Sequence, residues 1–140
     1  MSNKKELQLV NFEQAKKLKE MGFDYPCRAE YILRTNWKTL KEYSEIHDQR
    51  TNSKNHNAGE RGISAPEIAL VFQWLRNEKG VEIEIRPDFD MNEDKTFYMS
   101  YTAYYWQNCT EKRLDIGGIH CNKELAEQLA LNKALDFLPL

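Results

Sequence analysis

An α+β domain, with helices packed on one face of a small antiparallel sheet, is the fold class this sequence predicts. Three stretches carry the prediction. "VEIEIRP" alternates Val81, Ile83 and Ile85 with Glu82, Glu84 and Arg86, the period of a strand with one buried face. "ISAPEIALVFQWLRNEKG" before it and "KELAEQLALNKALDFL" near the end carry apolar residues at helical spacing. A strand with one apolar face must bury it, and the flanking helices are the nearest apolar surfaces.

The elements follow in order. Asn11 is an N-cap for a first helix over residues 12 to 21, with Gln14 in the capping-box position and Gly22 as the stop. Phe12, Ala15 and Leu18 recur at helical spacing, with Met21 closing the series, while Lys16, Lys17, Lys19 and Glu20 point elsewhere. Pro26 resists further helix, and "RAEYILR" has the β-branched and aromatic content of a strand. Between Thr35 and Gly62 the periodicities fade. "NWKTLKEYSEIHDQR" fits a helical turn or an irregular strand, and "TNSKNHNAGERG" reads as a polar loop, so a mobile loop is expected around 47–62.

For the second helix, Ser64 serves as cap, Pro66 fits the first turn, Glu67 completes a capping box and Gly80 ends it. Ile68, Val71, Phe72 and Leu75 share a face. After "VEIEIRP", the string "DFDMNED" reads as a turn into a long strand, "KTFYMSYTAYYWQ", and "NCTEKRLDIGG" as a turn and a further strand. Asn122 caps the last helix. The 140 residues are expected to form a single domain.

With 20 Lys and Arg against 22 Asp and Glu, no global positive field favours phosphate backbones. No apolar run approaches the length of a membrane span, and the N-terminus has neither an apolar core nor a cleavage site. Three cysteines, Cys27, Cys109 and Cys121, form an odd set without a CxxC pair, the pattern of reduced thiols. A cytoplasmic protein without membrane or cofactor is the expectation.

Alternation divides residues 97 to 106 into two faces. Phe97, Met99, Tyr101, Ala103 and Tyr105 are assigned to the helix side with Val81, Ile83 and Ile85. Tyr98, Tyr104 and Trp106 are assigned to the outer face beside Glu82, Glu84 and Arg86. Three outer rings exceed what solubility explains, so they are the candidate binding residues. Carboxylates on the same face disfavour nucleic acid, whose binders pair aromatics with cations.

Catalytic constellations are weak. Pro87-Asp88 followed by Glu93-Asp94-Lys95 matches the carboxylate and lysine pattern of metal-dependent nucleases, but all fall in one expected turn, where Asp, Asn and Pro are common. His47, Asp48 and His56 invite a His-Asn-His reading without an element to fix them, and His120-Cys121 sits in no repeated ligand spacing. No catalytic residue and no metal ligand is assigned.

Two resemblances follow from longer stretches. "AKKLKEMGFDYPC", then a strand, then "APEIALVFQWLRNEKGVEIEI", an aromatic strand and a Leu/Ala-rich last helix together resemble short bacterial proteins of prophages and mobile elements. That likeness implies no activity, though inhibiting or modifying a host component would suit such an origin. From Ser64 onward the order helix, three strands, helix, ending in "NKELAEQLALNKALDFL", is similar to a double-stranded-RNA-binding domain. That family meets phosphates with lysines at the start of its last helix. Here Lys123 is followed by Glu124 and Glu127, with Lys112 and Arg113 nearby, which makes these three cations the alternative nucleic-acid contacts.

The sequence thus reads as a non-catalytic binding module with a protein partner or a second copy of itself. Nucleic-acid binding is the alternative, and a metal-dependent nuclease the third reading.

Overall fold

The structure, a computed structural model, describes residues 8–48, 53–59, 62–120 and 122–138. The order is α1 (Phe12–Glu20), β1 (Ala29–Thr35), β2 (Glu42–Asp48), a 3₁₀ turn (His56–Ala58), β3 (Gly62–Ser64), α2 (Ile68–Lys79), β4 (Val81–Met91), β5 (Phe97–Gln107), β6 (Thr110–His120) and α3 (Lys123–Phe137). The class is α+β, and the strands form two three-stranded antiparallel sheets, ordered β2-β1-β3 and β4-β5-β6. Two compact units share the chain; the first ends at Leu70 and the second is Val71–Leu138.

In the first unit α1 starts as its residues dictate. The Asn11 side chain accepts from the Gln14 N–H at 2.8 Å, and the Gln14 side chain accepts from the Asn11 N–H at 2.9 Å. This reciprocal cap contributes about 1 kcal/mol. Ala15 and Leu18 are buried with Val10, Phe23, Ala29, Ile63 and Ile68. Strand β2 corrects the irregular reading of residues 35–62: Glu42–Asp48 pairs with β1 without a break, from Thr35↔Glu42 to Ala29↔Asp48. The cap reading for α2 is also corrected, since Ser64 belongs to β3 and Glu67 bridges to Leu9 before the helix begins at Ile68.

The described part of the segment read as a mobile loop is anchored. Cys27 and Lys54 exchange backbone hydrogen bonds at 3.0 and 3.2 Å, and His56 is buried. Residues 49–52, 60 and 61 lie outside the described residues, as do Cys121 and the N-terminal lysines.

The second unit is built on the β4-β5-β6 sheet. Val81, Ile83, Ala103, Leu114 and Ile116 are buried on one face, together with Ala126, Ala130, Leu131, Ala134 and Leu135 of α3. The alanines let the helix lie close to the strands, and the Tyr105 and Phe137 rings meet at 4.7 Å. Strand β4 does not stop at Arg86: it pairs with β5 as far as Met91↔Phe97, and the turn is Asn92–Thr96. Between Tyr101↔Ile119 and Ala103↔Leu114, β6 carries five steps against two on β5. Gly117 takes φ +77° in this bulge, a left-handed conformation that suits glycine, and its N–H meets the Asp115 carboxylate at 3.2 Å.

Candidate interaction surface

The outer face of the second sheet holds what alternation assigned to it. Register sets Glu82, Trp106 and Glu111 in one row and Glu84, Tyr104 and Arg113 in the next, with Arg86 opposite Thr102. Arg86 is the hub. Its Nε and Nη2 donate to the two Glu84 oxygens, each at 2.9 Å, its Nη1 reaches Glu111 at 2.8 Å, and its guanidinium lies 4.0 Å from the Tyr104 ring centroid. The Trp106 indole N–H donates to Glu84 at 3.2 Å. Hydrogen bonding to Arg86, and secondly to Trp106, holds the Glu84 carboxyl below the usual carboxylate range. The same bonds from Glu84, then Glu111, keep the Arg86 guanidinium still more firmly protonated than usual.

This lattice identifies what flanks the outer rings. Arg86 covers Tyr104, Glu84 holds Trp106, and Tyr98, Tyr104 and Trp106 are all half-buried. Carboxylate and guanidinium offset one another across the face, so it presents no net cationic surface to a phosphate backbone.

A more exposed surface lies on the opposite, helix-bearing face. Because β4 and β5 stay in register to the turn, Phe89↔Met99 and Met91↔Phe97 fall on the same face as Ile83↔Tyr105 and Ile85↔Ala103. Strand β6 ends opposite Ser100, so beyond it β4 and β5 run on as a two-stranded arm. There Phe89 is 75 % exposed, Met91 53 % and Phe97 76 %. The apolar face that α3 covers proximally is therefore open on the arm. At about 200 Å² per large side chain, the three present on the order of 400 Å², near the size at which an apolar patch on a monomer marks an interaction site. Alternation had put Phe97 and Met99 against the helices; Phe97 is instead open and Met99 half-buried, because the strands outrun the helix.

The sheet edges are poorer binding elements than this face. Pro87 deprives β4 of one donor, as is tolerated on an edge strand, and the bulge breaks the line of β6.

The other sequence candidates do not converge. Lys112 pairs with Tyr105 and Arg113 with Tyr104, so these consecutive residues point to opposite faces of β6. Lys123 opens α3 beside Glu124 and Glu127, and burial pushes the Glu127 carboxyl up. Asp88 accepts from the Thr102 hydroxyl at 2.9 Å within the strands, whereas Asp94 accepts from the Thr96 hydroxyl at 2.6 Å in the turn, which lowers its pKa. Among the described residues no three His, Cys, Asp or Glu side chains gather as a metal cluster. His47 Nε2 lies 3.4 Å from Glu45 Oε2.

One cluster escaped the sequence reading altogether. His56 Nε2 is 3.0 Å from the Cys27 carbonyl, which can only accept, so Nε2 carries a proton. Nδ1 is 2.9 Å from Glu30 Oε2, off the axis of an aligned hydrogen bond. Ser64 Oγ accepts from the His56 N–H at 3.1 Å, and Asn57 links Phe23 O to the Ser64 N–H. Cys27 is buried, and that burial pushes its thiol up, the opposite of what a thiolate nucleophile requires. The cluster clasps β1, the 3₁₀ turn and β3. Only the pairing of His56 with Glu30 across 26 residues would have revealed it, and sequence spacing carries no such signal.

Comparison with protein-family models, with curated proteins and with solved structures finds no match to this chain. No helix among the described residues is long and apolar enough to cross a membrane.

Proposed function

We infer that this protein is a non-catalytic binding module that acts by protein–protein contact, with the open half of the β4-β5 face as its principal docking surface. The observation that carries the reading is the row Phe89, Met91 and Phe97, exposed on a face whose other half is a packed core. Next to it, on the reverse face, Arg86, Tyr104 and Trp106 are of the residue types that dominate binding energy in protein interfaces. Burying the arm patch yields roughly 10 kcal/mol gross at about 25 cal/mol per Å², against an association cost of about 4–15 kcal/mol. The patch alone supports weak binding, and a stable complex needs contacts beyond it.

The experiment is capture of partners by the wild type and by Phe89→Ser plus Phe97→Ser, each at low and high salt, followed by measured affinity with the purified partner. A partner retained at high salt and weakened about 100-fold by the double substitution, near 1.4 kcal/mol per side chain, supports the reading. Equal affinity for both proteins overturns it.

The nucleic-acid alternative has one favourable observation, the helix, three strands, helix order from Ile68 to Phe137. Its signature would be a complex that weakens steeply with salt and depends on Lys112, Arg113 and Lys123. The divergence of Lys112 and Arg113 argues against it.

A further inference from the structure

The negative charge of the chain collects on the β4-β5 arm. Residues 87–97 hold four acidic residues against Lys95 alone, a net charge of −3, whereas the whole chain carries −2. Everything outside the arm is therefore slightly cationic in sum. The donors that reach the arm's carboxylates are neutral. Asp88 accepts from the Thr102 hydroxyl at 2.9 Å, and Asp94 accepts from the Thr96 hydroxyl at 2.6 Å and the Thr96 N–H at 3.1 Å. Those bonds hold the Asp94 carboxyl below its usual range, so it stays ionised. The neighbouring guanidinium, Arg86, is already bonded to Glu84 and Glu111.

These carboxylates border the apolar row without interrupting it. Glu93 and Asp94 are exposed in the turn that joins Met91 to Phe97, and the exposed Asp88 lies opposite Ser100 on the reverse face of the strand pair. An apolar centre with a charged margin is the anatomy of a protein interface. Its sign sorts the possible occupants. A second copy would set one anionic arm against another, and an anionic lipid surface or a phosphate backbone would meet the same repulsion. A protein surface that places lysine or arginine around an apolar recess meets attraction instead.

We propose that the protein which docks on this arm presents an apolar recess rimmed by lysine and arginine, and that Asp88, Glu93 and Asp94 steer it there. The proposal rests on the docking reading above and adds the charge of the partner. The two parts of the surface do different work. Phe89, Met91 and Phe97 lose water in the complex and set how long it lasts, while the exposed carboxylates set how fast it forms. Salt therefore slows association and leaves the formed complex largely in place.

The probes are two short helical peptides with a leucine face, one carrying lysine and the other glutamate on the remaining positions. Stopped-flow anisotropy follows each on the full chain at low and high salt. At low salt the lysine peptide is expected to bind about tenfold more tightly than the glutamate peptide. Glu93→Gln plus Asp94→Asn should slow its association about fivefold with little change in dissociation, whereas Phe89→Ser plus Phe97→Ser should speed dissociation about tenfold or more. Glu13→Gln plus Glu20→Gln removes the same charge from exposed positions of α1 and should leave both rates unchanged. Circular dichroism confirms that each variant is folded. Equal affinity for the two peptides, or a control variant that slows association as much as the turn variant does, overturns the proposal. So does self-association of the chain that the phenylalanine substitutions abolish. If the phenylalanine variant releases the peptide faster but the turn variant keeps the wild-type association rate, the docking surface stands and its cationic partner falls. If the phenylalanine variant matches the wild type, both fall.

Discussion

Gly62 occupies the tightest position in the clasp of the first unit. A Cβ there would lie 2.7 Å from Glu30 Oε2 and 3.1 Å from the His56 carbonyl oxygen. Either the carboxylate leaves His56 or the backbone moves. Gly62→Ala is therefore expected to cost about 1–3 kcal/mol of stability, the usual range for overpacking, and an unchanged urea midpoint would contradict the close packing described. Glu84 is a second case. Its folded pKa is depressed, so its contribution is fully present above the ordinary carboxylate value and is lost as pH falls through the lowered one. The stability difference between wild type and Glu84→Gln should shrink on acidification, most visibly at low ionic strength because the group is open to solvent. A difference that grows as pH falls would reverse the sign assigned to the Arg86 and Trp106 contacts.

Among the elements, those with a buried face could be read from sequence and those without one could not. The capping box of α1 and the alternation of Val81, Ile83 and Ile85 report local geometry that the structure retains. Strand β2 gave little signal because its residues lie at a sheet edge and stay largely exposed, so its existence rests on backbone pairing with β1 rather than on burial. Phe89 and Met91 did keep the period of β4, but Pro87 and the neighbouring aspartates look like turn chemistry, and the candidate site fell inside the supposed turn. The β1-β2 turn offers its own test. Leu40 there has φ 58°. Replacing it by glycine removes the left-handed strain, which costs an L-residue about 1–2 kcal/mol, and should leave the fold as stable or up to about 1 kcal/mol more stable after glycine's entropy is offset. Thermal unfolding that drops by several degrees would show that the Leu40 side chain holds the turn together.

At the scale of the molecule, the second unit joins a small packed body to a two-stranded arm whose apolar side chains meet solvent, and in the first unit Trp37 and Leu40 are exposed at the β1-β2 turn. Isolated two-stranded ribbons are only marginally stable in water, so arms of this kind gain order from whatever binds them. This pattern was beyond sequence reasoning, because exposure depends on where β6 and α3 end relative to β4 and β5, a non-local outcome. The outer rings Tyr98, Tyr104 and Trp106 could be placed on their face correctly, yet the network that half-buries Tyr104 and Trp106 needed the register between three strands. The most direct measurement of the docking surface is photo-crosslinking in the native cell with a benzophenone side chain at Phe97, at Phe89 and, as an exposed control, at Gln107. The account predicts one shared protein adduct at positions 89 and 97 and none at 107. Equal labelling at all three positions, or labelling at 107 alone, would contradict it.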